Sequence, residues 1–213
     1  MSYFVDFSRG KWNKDDFSRL DCFNFPYRTD LEQLDNCIAN GYSPIEMFNA
    51  DLEKVKSGVA PSEIEGFDRG GLFTQSACMY KEKQKNGVSF SVDFSFDEFG
   101  APTFFYSREI IKEGDSLVSA EGIEATAFEK GINFWHSAFD KENKKTNFKK
   151  VGHFPYPLER KKIYTIELLT VSDKFGVKLA GQGTWVDFPM YDTGYIGFYA
   201  CEGINRFYNF KIV

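Results

Sequence analysis

The sequence predicts an antiparallel β-sandwich, and three observations lead there. Val88, Phe90, Val92, Phe94 and Phe96 alternate strictly with Ser89, Ser91, Asp93, Ser95 and Asp97, the period-2 pattern of a strand with one buried and one wetted face. Aromatic residues make up 18% of the chain, with 24 Phe, and rings favour pleated, half-buried surfaces. Short apolar runs are separated by turns marked with Gly, as at Lys85-Asn86-Gly87, Gly100-Ala101-Pro102 and Asp192-Thr193-Gly194, and no strand-helix alternation signals a parallel sheet.

The N-terminal third reads differently. Thr29-Asp30-Leu31-Glu32 has the form of a capping box, Leu31, Leu34 and Ile38 follow at helical spacing, and Gly41 is a stop, which predicts a short helix over about 30–40. Ser43-Pro44-Ile45-Glu46 repeats the signature, with Ile45, Phe48, Leu52 and Val55 on one face, although Phe48, Ala50 and Leu52 also alternate as a strand would. The expectation is helix in the first half of this segment. From Gly70 onward the chain reads as strands over 72–80, 87–97, 103–107, 123–128, 132–139, 163–171, 177–179, 185–188, 196–201 and 207–212. All 213 residues fit one sandwich domain with a helical insertion at about 30–50.

Net charge is −5, and the one lysine group, Lys144, Lys145, Lys149 and Lys150, shares the polar stretch 140–150 with Asp140 and Glu142. That stretch reads as a solvated loop, and without a basic stripe nucleic acid is not an expected partner. The chain opens without a charged lead and apolar block of a secretory signal, and no run approaches about 18 apolar residues, so no membrane partner is expected. Cys22, Cys37, Cys78 and Cys201 form no C-x-x-C pair, which with the missing signal predicts free thiols and a cytoplasmic location.

The closing strands carry a recognisable order: a long strand over 162–170, a hairpin to Phe175-Gly-Val-Lys-Leu, then Tyr195-Ile-Gly-Phe-Tyr-Ala-Cys-Glu-Gly and Asn205-Arg-Phe-Tyr-Asn-Phe-Lys-Ile. This resembles the end of concanavalin A-like lectin and glucanase sandwiches, laminin G-like modules included. The resemblance implies a jelly-roll fold and a carbohydrate connection. It leaves the chemistry open, because that group spans lectins, glycoside hydrolases and structural modules.

A retaining glycosidase needs two carboxyls about 5 Å apart. The Glu-x-Asp-x-x-Glu string of laminarinase-like members is absent. Glu121 and Glu124 stand three apart on opposite faces, whereas Asp93 and Asp97 share one and are the catalytic candidates. In Asn133-Phe134-Trp135-His136, Asn133 and Trp135 share a face, placing an amide that reads hydroxyls beside an indole that stacks on a sugar ring. His136 lies on the other face, and with only His136 and His153 in the chain a multi-histidine metal site is excluded. Glu202, Asn205 and Arg206 fall in an expected turn, where polar groups on a rigid sheet can meet ligand hydroxyls. No phosphate cradle, calcium loop or cofactor motif is found, so no cofactor is expected. The sequence thus points to a saccharide partner, bound or hydrolysed, through Asn133, Trp135, His136, Glu202, Asn205 and Arg206. The alternative is a non-catalytic module whose exposed rings meet another protein or a second copy of the chain.

Overall fold

The computed structural model describes residues 2–7, 13–21, 45–48, 76–97, 100–189, 192–200 and 204–213. Its first sheet runs β1 (Tyr3–Asp6), β15 (Ile204–Ile212), β6 (Ser89–Phe96), β11 (Tyr164–Val171), β12 (Lys174–Leu179) and β13 (Gln182–Asp187), all antiparallel. A further strand, β3 (Ile45–Phe48), pairs with the first half of β15 where β1 pairs with the second. The second sheet is built on β10 (Lys145–Pro155), β9 (Gly131–Asp140), β8 (Ser116–Phe128), β7 (Pro102–Glu113), β14 (Thr193–Ala200), β4 (Ser76–Tyr80) and β2 (Phe17–Asp21), with β5 (Gln84–Lys85) at the start of β14.

Period-2 geometry decides what lies between the sheets. Phe90, Val92, Phe94 and Phe96 of β6 are each no more than 1% exposed. Ring pairs then lock one layer to the other. Phe94 meets Phe104 of β7 at 5.2 Å, Phe207 of β15 meets Phe198 of β14 at 4.6 Å, and Phe175 of β12 meets Phe134 of β9 edge-on at 6.3 Å. Each buried Phe contributes about 1.5–3 kcal/mol from apolar area alone, with a further ~0.5–1.5 for a well-oriented ring pair. Between β12 and β13, Ala180 and Gly181 both take positive φ, 47° and 82°, as a tight two-residue hairpin requires.

Most expected strands are present, and they are longer than predicted at β7 and β8. Three expectations need correction or setting aside. Ile45–Phe48 is a strand paired with β15 and not the start of a helix, because its backbone groups are taken up by the edge that Ile204 to Phe207 offers. The predicted helix over about 30–40 lies outside the described residues, among which only Phe7 and Lys14–Asp16 are helical, both of the 3-10 type. The supposed loop at 140–150 is a short turn leading into β10, which pairs with β9 from Lys145 to Pro155. As an edge strand β10 leaves most of its side chains in water, so it lacks the alternation that reveals buried strands.

If the ring interlock holds the layers together, Phe94→Ala should cost about 3–5 kcal/mol in urea unfolding, while Ser91→Ala on the outer face should change stability by less than ~0.5 kcal/mol.

Candidate functional site

Ile132 and Phe134 of β9 point into the core, so Gly131, Asn133, Trp135, Ser137 and Phe139 project from the outer face of the second sheet. The β8–β9 hairpin places Phe128 opposite Gly131, which sets Glu124 directly opposite Trp135. On the other side β10 places Lys150 opposite Trp135 and His153 opposite Asn133, after a bulge at Val151 that restores the alternation. Trp135 therefore sits half-buried between a carboxyl and an ammonium, with Asn133 and Ser137 above and below it on its own strand.

This face has a closed half and an open half. Leu20, Ala77, Met79, Phe105 and Tyr199 form a second buried apolar cluster over β2, β4, β7 and β14. The part formed by β9 and β10 is open: Asn133 and Trp135 are half-buried, and Lys150 and His153 are exposed. Glu124 stands at the boundary, 8% exposed. The Tyr199 hydroxyl reaches across β7 and donates to Glu124 Oε2 at 2.6 Å. Burial pushes the Glu124 carboxyl up from 4.5 to about 7, against the opposing pull of hydrogen bonds from Tyr199 and Ser137. Asn133 is oriented by His153, whose Nδ1–H donates to Asn133 Oδ1 at 3.0 Å.

The arrangement does not supply a pair of carboxyls. Glu124's same-face neighbours are Gly122 and Thr126 along β8, Thr103, Phe105 and Ser107 on β7, and Asn133, Trp135 and Ser137 on β9. None is acidic, so among these positions no second carboxyl stands at the ~5 Å separation of a retaining glycosidase.

The other predicted residues are dispersed. Asp93 and Asp97 do share a face of β6, yet four residues of strand separate them by about 13 Å, too far for either glycosidase geometry. Both are engaged across strands: Thr165 and Asn209 donate to Asp93 at 2.5 Å each, and Arg206 Nη1 lies 2.9 Å from Asp97 Oδ1 as an ion pair. Asn205 is fully buried. Arg206, next to it on β15, faces outward from the first sheet, on the opposite side of the sandwich from Trp135. His136 turns away from Trp135, and its Nε2–H donates to Glu121 Oε1 at 3.0 Å while Arg108 holds Oε2 at 3.1 Å. Glu202 lies outside the described residues. Of the expected contacts, the structure brings together Asn133 and Trp135, and it adds Glu124, Lys150, His153 and Tyr199.

Glu124 makes stability depend on pH in a definite direction. Its folded-state value exceeds its unfolded one, so the neutral form is favoured by folding; this advantage is complete below about 4.5 and is lost as pH rises through about 7. Glu124→Gln keeps an oxygen for Tyr199 and cannot ionise. Thermal or urea unfolding should show the variant gaining up to about 3 kcal/mol over the native chain at pH 8 and nothing at pH 4.

No family model matches the chain, and no curated protein matches it. Solved structures do. A protein of unknown function with a galectin-like fold from Bacillus subtilis aligns with a TM-score of 0.59 and 10% identity, covering 99% of this chain and 94% of its own. A native glycosidic hydrolase aligns at 0.54 and 10% identity, covering 100% and 95%. A carbohydrate binding module from Bacillus subtilis aligns at 0.46 and 14%, covering 62% and 78%. Identities this low speak to architecture alone: the chain has the fold of the concanavalin A-like sandwiches.

Proposed function

We propose that this protein binds a saccharide on the open half of the second sheet's outer face, without hydrolysing it. The observation that carries this reading is the setting of Trp135. A partly exposed indole offers an apolar platform to a sugar ring, while Asn133, Lys150, His153 and Glu124 supply donors and acceptors around it. Rigid strands hold all five residues, so little ordering is needed on binding. The overall architecture is also that of the glycosidic hydrolase and of the protein with a galectin-like fold. Binding is favoured over turnover because Glu124, neutral up to about pH 7 and able to donate as well as accept, has no acidic same-face neighbour among the described residues to complete a catalytic pair.

A glycan array probed with the native chain and with Trp135→Ala tests this. The expected result is a saccharide class bound by the native chain and lost in the variant, with the unfolding midpoint within a few degrees. Equal binding by both would remove the site. Release of reducing ends from the bound glycan would replace binding with hydrolysis.

A further inference from the structure

The outer face of the first sheet carries a second tryptophan in an unusual setting. Phe175, Val177 and Leu179 of β12 enter the core, so Gly176 and Lys178 face outward, opposite Trp185 and Gly183 of β13 respectively. A methyl built at Gly176 would stand 2.5 Å from Cε3, 2.6 Å from Cζ3 and 2.8 Å from Cδ2 of Trp185. Three atoms of the six-membered ring at nearly one distance mean that the indole lies face-down on the glycine. The residue is 46% exposed, which leaves the ring surface away from Gly176 to meet solvent. Gly176 is what permits this, since any side chain there would lift the ring.

The surroundings are mostly polar. Leu169 of β11 lies next to Gly176, and Val171 beside it is exposed. Lys178 and Glu167 pair at 3.6 Å on one flank, and Lys174 and Asp187 at 3.9 Å on the other. At exposed positions such pairs add little stability, leaving their polar atoms available for exchange with a ligand. Gly183, two residues before Trp185 on the same face, keeps the space between the indole and Lys178 open. Trp185, with Leu169 and Val171 beside it, is flanked along the strands by these charge pairs two residues away on either side, and a narrow apolar strip rimmed by polar groups suits a hydroxyl-bearing ring better than the broad apolar centre of a protein interface.

We infer that Trp185 is the platform of a second saccharide site, with Glu167, Lys178, Lys174 and Asp187 reading the hydroxyls of a ring stacked on the indole. The inference rests on the saccharide-binding reading above and extends it. Because Trp135 and Trp185 face away from each other across the sandwich, one molecule can hold two glycan strands at once.

The chain has three tryptophans, Trp12, Trp135 and Trp185, so 5-fluorotryptophan labelling gives three fluorine resonances, assigned with single Trp→Phe variants. Titration with hexasaccharides of glucose, mannose, galactose and fructose should move the Trp135 and Trp185 resonances with separate midpoints. The Trp185 shift should persist in Trp135→Ala, and the double variant Glu167→Ala with Lys178→Ala, which keeps the Trp185 reporter, should weaken that second event about tenfold or more. Movement of Trp135 alone would overturn the second site while leaving the first. Movement of Trp185 alone would support the second site and remove the first, and movement of neither would remove both. A concentration-dependent dimer by sedimentation, abolished by Trp185→Ala with no saccharide shift at that residue, would instead make this face a contact between copies and overturn the proposal.

Discussion

The interlock of phenylalanines between the two sheets is the constraint from which everything else follows. Phe94 against Phe104, Phe207 against Phe198 and Phe175 against Phe134 fix which residue of every strand points inward. Since successive side chains alternate, a one-residue slip in β9 would send Trp135 into the core and Phe134 into water. The functional face is therefore set by the core, and the candidate site inherits the rigidity of the ring packing beneath it.

A second consequence is the division of the second sheet's outer face. Over β2, β4, β7 and β14 that face is buried as a small apolar cluster, and over β9 and β10 it is accessible. Glu124 lies on the border, buried enough to favour its neutral form and close enough to Trp135 to meet a ligand. A neutral carboxyl can both donate and accept, which fits hydroxyl recognition, and its desolvation is partly offset by the Tyr199 and Ser137 hydroxyls.

Much of this was legible in the sequence because it depends on local periodicity. The alternation at 88–97 located β6 and its faces, and the same rule placed Asn133 with Trp135 and His136 away from them. What alternation cannot give is distance: Asp93 and Asp97 share a face, yet they lie too far apart to cooperate. Glu124 was within reach of sequence reasoning, since a two-residue hairpin pairing Phe128 with Gly131 requires Glu124 to face Trp135. The signal for Lys150 and His153 was weaker, because an edge strand wet on much of its surface reads like a loop. Asn205 and Arg206 look like a ligand-binding turn in the sequence, but β15 already includes them, so one is interior and the other belongs to the far layer.

Amide chemical-shift mapping with the saccharide class found on the array tests the central claim most directly. The account predicts that the largest changes on the second sheet fall along β9 and β10, at Asn133, Trp135, Lys150 and His153, and reach β8 at Glu124. Changes confined to the turns at the ends of the sandwich, with the amides around Trp135 unmoved at saturation, would contradict it.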